Sequence, residues 1–186
     1  MLSAFRRAKL AHQFRIYDTN ADGVLERTDL LRVADALAAS RGHDPGSAAY
    51  ESLAAHYEAL WAPLQRRSGG SLRARVTLEG FLAWHEEVLA DLASYDKTLG
   101  AMAGLLFDVF DEDGDGIVHL AEYERFAKAT GIPGTPASWF PRLDLDGDGR
   151  LTRDEVRALA EQFYFSDDPQ APGNWFYGAM EIGDRR

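Results

Sequence analysis

Three stretches of this chain place aspartate or asparagine side chains at alternate positions before a glycine. They are DEDGDGIVHLAE from Asp111, DLDGDGRLTRDE from Asp144 and DTNADGVLERTD from Asp18. That spacing suits a hard divalent cation. Calcium takes about six to eight oxygen ligands at roughly 2.3–2.6 Å, and a twelve-residue loop can supply them from positions 1, 3, 5, 7, 9 and 12. Position 6 must be glycine, because the chain turns there through a positive φ. Position 7 gives only its backbone carbonyl. Position 8 is apolar and pairs with a neighbouring loop. Position 12 opens the next helix and closes the shell with a carboxylate, best a bidentate glutamate.

The Asp111 loop meets every requirement. Asp111, Asp113 and Asp115 take positions 1, 3 and 5, Gly116 makes the turn, Ile117 offers its carbonyl, Val118 is apolar and Glu122 closes. His119 stands at position 9, where a water can bridge to the ion. The Asp144 loop does the same with Asp144, Asp146, Asp148, Gly149, Arg150, Leu151 and Glu155. The Asp18 loop offers Asp18, Asn20, Asp22, the carbonyl of Val24 and an oxygen of Glu26, but it closes with Asp29. Aspartate is one methylene shorter and reaches bidentate closure less easily. That site should discriminate less well against magnesium, which prefers short octahedral oxygen contacts. Asp and Gly are ordinary turn formers, so one such loop would mean little. Three in register, each between amphipathic stretches, point to three calcium ions. The loops hold fourteen of the 30 acidic residues, so they would repel themselves when empty.

Such loops need helices on both sides, and the hydrophobic periodicity supplies them. Helices are expected over 3–17, 28–40, 48–66, 78–92, 97–110, 120–130, 137–143 and 153–164, with a kink or early stop at Pro63. A fourth helix–loop–helix unit is implied by the spacing. If Val76 is its position 8, its loop runs from Gly69 to Gly80, and Gly69, Ser71, Arg73 and Gly80 stand where ligands should be. No carboxylate would face an ion there, and Arg73 would repel one. This unit is expected to be structural, pairing with the first loop through Leu25 and Val76. The predicted fold class is all-α: one globule of four units in two pairs, the second unit degenerate. Residues 1–92 and 97–164 should form the pairs, and residues 165–186 a tail packed on them.

The formal net charge is −10, so nucleic acid and anionic lipid should be repelled, and neither is an expected partner. The absence of cysteine excludes disulfides, thiolate metal sites and a cysteine nucleophile. The opening MLSAFRRAKLAHQF reads as an amphipathic helix and not as a signal peptide. No apolar run is long enough to span a bilayer. A monomeric, cytoplasmic protein is expected. Enzyme activity is not: there is no serine elbow, no phosphate loop, and no zinc motif among His12, His43, His56, His85 and His119. Those histidines read as surface or helix-face residues.

The degenerate second unit, Asp29 closing the first loop and the stretch FYFSDDPQAPGNWFYG after the fourth loop occur together. In these features the chain resembles, over nearly its whole length, the EF-hand family of sarcoplasmic calcium-binding proteins and their bacterial relative calerythrin. The resemblance implies two EF-hand pairs packed against each other, the loop residues above as ligands, and buffering of calcium and magnesium. Arg73, Arg75 and Gly80 depart even from a weak second site. The chain has only Met1, Met102 and Met180, which argues against the Met-rich groove of a promiscuous sensor. Trp175, Phe176 and Met180 are candidates to plug its own groove. The alternative is a calcium sensor that exposes a hydrophobic surface and binds a target protein.

Overall fold

In the computed structural model, which describes residues 1–71 and 73–180, helices bracket every one of the four loops. Helices α1 (Ala4–Tyr17) and α2 (Arg27–Ser40) flank the Asp18 loop, and α3 (Ala48–Arg67) and α4 (Leu78–Val88) flank the silent one. A short α5 (Leu92–Tyr95) and a π turn, Asp96–Gly100, lead into α6 (Ala101–Phe110). Helices α6 and α7 (Leu120–Ala129) flank the Asp111 loop, and α8 (Phe140–Leu143) and α9 (Arg153–Phe165) the Asp144 loop. The chain is thus an all-α fold of EF-hand type, with a silent second hand.

The helix ends follow from capping chemistry. Ser3, Ser47 and Thr77 cap α1, α3 and α4, each accepting from a backbone N–H in the first turn. The loops use a different device. Their closing carboxylate is also the third residue of the exit helix, and it accepts the backbone N–H of the N-cap, as in a capping box. Asp29 takes the N–H of Glu26 at 2.9 Å, Glu122 that of His119 at 2.8 Å and Glu155 that of Thr152 at 2.8 Å. One side chain therefore starts the helix and aims an oxygen at the loop.

Short antiparallel pairings tie the loops together. Strand β1 (Val24–Leu25) meets β2 (Val76–Thr77), with Leu25 opposite Val76. Val118 and Leu151 form the matching bridge in the other half, with reciprocal hydrogen bonds of 2.8 and 3.0 Å. All four apolar residues are essentially buried, so each pairing anchors its loops in the core.

Four details differ from the sequence expectation. Helix α3 covers the expected span and runs through Pro63 to Arg67, so of the kink or early stop it is the stop that does not occur. Trp61 and Leu64, on either side of the proline, are both buried, and that packing offsets the lost backbone bond. The helix expected over 78–92 ends at Val88, and the expected 137–143 helix divides into a 3₁₀ turn, Pro136–Ser138, and α8. His12, His56 and His85 are buried, not superficial. His85 lies beside Phe81 and Trp84, its Nδ1 2.9 Å from the Phe81 carbonyl.

Of the three tail residues expected to fill the groove, Phe176 alone is buried. Phe176 and Tyr177 are buried, whereas Trp175 and Met180 are half-exposed. Tyr177 can bury its ring because Gln13 Nε2 donates to its hydroxyl at 2.8 Å. Trp175 instead lies under the Arg142 guanidinium, 4.7 Å from the ring centre. Lys9 is fully buried and donates to the carbonyls of Gln162 and Ser166, at 3.2 and 2.7 Å, and to Asn174 Oδ1 at 3.3 Å. It thereby binds the first helix to the last. Gly173 lies so close on α9 that a Cβ would sit 2.4 Å from the Leu159 carbonyl oxygen. Residues 181–186 of the expected tail, Glu181 and Ile182 of its apolar end included, lie outside the described residues.

Candidate metal centre

The three acidic loops share one internal hydrogen-bond scheme. The position-6 glycine N–H donates to the position-1 carboxylate: Gly23 to Asp18 at 2.9 Å, Gly116 to Asp111 at 3.0 Å, Gly149 to Asp144 at 2.7 Å. The position-5 N–H donates to the position-3 oxygen, at 3.0 Å for Asn20, 3.1 Å for Asp113 and 3.1 Å for Asp146. The position-7 N–H donates to the position-5 carboxylate, at 3.0, 2.8 and 2.9 Å for Val24, Ile117 and Arg150. Each of these side chains thus has at least one oxygen steered by backbone donors, and Asp18 and Asp144 have both, which fixes where the acidic groups converge. Gly23, Gly116 and Gly149 all lie at φ near +85°, a conformation open to glycine and strained for other residues.

In the third loop, oxygens of Asp111, Asp113 and Asp115 lie within 4.8 Å of one another, and those of Asp144, Asp146 and Asp148 do the same in the fourth. Three like charges that close call for a cation. Asp111 Oδ1 is buried and has no hydrogen-bond partner, a costly arrangement unless a positive ion faces it. Among the described residues no hydrogen bond ends on the carbonyls of Ile117 or Arg150, which leaves both free to face an ion. The donor set is all oxygen, as a hard cation requires, and it fits calcium.

Closure separates the loops. Glu122 Oε1 reaches across to the position-2 backbone N–H of Glu112 at 2.8 Å, and Glu155 Oε1 to that of Leu145 at 2.8 Å. Asp29 does not reach that far. Its Oδ1 accepts from the side-chain hydroxyl of Thr19 at 3.0 Å instead, and Arg32 Nη1 stands 2.8 Å from the same oxygen. Asp29 is completely buried and Arg32 exposed, so this ion pair bridges the site and the solvent. Position 4 separates them too. It is left-handed in all three loops, held by Gly114 at φ +74° and Gly147 at φ +78°, but by Ala21 at φ +56° in the first. The sequence carries both signals, in Ala21 against two glycines and in Arg32 one turn after Asp29, though loop spacing alone does not bring them out.

The EF hand family profile matches residues 10–34 and 137–160, and that of an EF-hand domain pair matches 103–129. The chain is 26% identical over 168 residues to calerythrin of Saccharopolyspora erythraea, covering 89% of this chain and 95% of that one. It is 30% identical over 159 residues to the probable calcium-binding protein CML21 of Oryza sativa subsp. japonica, covering 81% and 77%. The chain belongs to the EF-hand family. A sarcoplasmic calcium-binding protein from amphioxus shares the fold with a TM-score of 0.71 at 24% identity, over 96% of this chain and 99% of that one. As an EF-hand protein it binds calcium. Among the described residues, no helix is long and apolar enough to cross a membrane.

Proposed function

We propose that this EF-hand protein binds three calcium ions and serves as a monomeric, cytoplasmic calcium buffer, with magnesium competing at the first loop. Asp18, Asn20, Asp22, Asp29 and the Val24 carbonyl hold the first ion. Asp111, Asp113, Asp115, Glu122 and the Ile117 carbonyl hold the second. Asp144, Asp146, Asp148, Glu155 and the Arg150 carbonyl hold the third. Residues 1–92 and 97–164 act as the two EF-hand pairs, and residues 165–180 of the tail pack on them.

One observation carries the buffer reading: the face a sensor would open is already filled from within. Phe176 and Tyr177 are buried among Phe110, Phe163 and Tyr164. Helix α1 packs on α9 and α2 on α7, so the two halves cover each other. The large apolar side chains most exposed among the described residues, Met1, Leu92, Leu105 and Leu145, are scattered and not gathered in a groove. A hydrophobic dye tests the reading. Calcium and magnesium should each leave dye fluorescence low. A large rise with calcium alone would favour the sensor reading.

A further inference from the structure

Loop one faces a cation supplied by its silent neighbour. The antiparallel register sets Val24 opposite Thr77 and Leu25 opposite Val76, and its next step sets Glu26 opposite Arg75. The side chains follow the backbone. Arg75 Nε stands 3.0 Å from Glu26 Oε1, and Nη2 stands 3.6 Å from Asp22 Oδ2. Asp22 and Glu26 occupy positions 5 and 9 of the loop, so both belong to its oxygen shell. The Asp22 oxygen concerned is the one that the backbone leaves free, since Oδ1 already accepts from Val24 N–H.

The other pair of loops provides an internal control. There the same register, through Val118 and Leu151, sets Arg150 opposite His119. An arginine again stands at position 7 of the partner loop, but it faces a histidine in place of a glutamate. Among the described residues Arg150 makes no ion pair with an acid of either loop, and His119 turns to Asp115 of its own loop at 3.4 Å. A basic residue at that register is therefore not enough. The acid at position 9 draws the guanidinium over the shell.

We propose that Arg75 is a tethered counter-cation: it neutralises the first loop when metal is absent and competes with metal for Asp22 and Glu26, which sets that site's affinity below that of the other two. This rests on the reading of the first loop as a metal site. The degenerate hand thus tunes its neighbour as well as supporting it. Arg75 is exposed and can swing aside, so the penalty on binding is modest and falls as salt screens it.

The test uses the full chain carrying Glu122→Gln and Glu155→Gln, so that the first loop dominates binding, with and without Arg75→Gln. Removing one positive charge at this distance in water should tighten calcium binding on the order of fivefold at low salt, and the gain should shrink in 0.5 M KCl. Without metal, Arg75→Gln should lower the melting temperature, and Arg75→Lys should restore part of it. Equal or weaker calcium affinity in Arg75→Gln, with normal folding by circular dichroism, overturns the counter-cation. No calcium binding in either form overturns the first-loop site itself, and the counter-cation with it.

Discussion

The two halves of the molecule use the same loop grammar to different degrees. In the half that holds Asp111 and Asp144, glycine fills the left-handed position 4, glutamate closes, and the closing carboxylate reaches the backbone on the far side of the loop. In the half that holds Asp18, an alanine takes the left-handed turn and an aspartate closes onto a threonine hydroxyl. Two guanidiniums, from Arg32 and Arg75, stand where an ion's charge would otherwise be the only positive one. The difference teaches that a loop can keep its shape without metal if fixed cations and hydroxyls take over part of the work. The other half has such partners too, in the Thr152 hydroxyl on Glu155 and in Arg125 beside Glu112, but it keeps a buried, unpartnered carboxylate oxygen on Asp111 that calls for the ion.

The sharpest way to break this comparison is to remove the long closing carboxylates. Glu122→Gln or Glu155→Gln should weaken the altered loop about a hundredfold, ~2.7 kcal/mol, and reduce tight stoichiometry by one. Calorimetric titration checks this, and a loss confined to the first loop would contradict it. Acid probes the first half differently. His56 and His85, on α3 and α4, are both held down to about 4 by burial, against an ordinary value of 6.5. Their neutral forms belong to the folded state, so the stability they contribute is present above pH 6.5 and is lost as pH falls toward 4. By pH 5 each should remove on the order of 2 kcal/mol. Urea unfolding of calcium-saturated protein at pH 7 and pH 5 measures this, and a flat response counts against it.

Smaller changes should make the halves more alike. Asp29→Glu lengthens the closing side chain and should raise the first loop's preference for calcium over magnesium about tenfold, ~1.4 kcal/mol. Competition titration reads it directly. Ala21→Gly removes a left-handed alanine and should stabilise the filled first loop by about 1 kcal/mol. The thermal midpoint of the calcium form should rise by a few degrees, and a fall would show that Ala21 is not strained.

Much of this was legible in the sequence because twelve-residue calcium loops tie chemistry to fixed positions. Asp18, Asp111 and Asp144 mark where helices end, Leu25 and Val76 mark the pairing, and the glycines mark the turns. Other features depend on burial, which spacing does not reveal. His85 precedes two glutamates and reads as a surface residue, but α4 turns it inward beside Phe81. Tyr177 reads as one aromatic among several. It becomes the core of the tail because Gln13, on a helix at the other end of the chain, satisfies its hydroxyl. Pro63 reads as a helix kink or early stop, and the packing of Trp61 and Leu64 carries the helix past it. Arg75 reads only as a charge that spoils its own loop, because its effect on the first loop appears once the strands are set in register.

The central claim is that three sites of two kinds sit on one four-hand frame. Calcium titration by calorimetry, with and without millimolar magnesium, tests it most directly. The account predicts three ions bound without magnesium, two sites little changed by it, and one site clearly weakened. Three sites that respond alike to magnesium, or a stoichiometry of two in its absence, would contradict it.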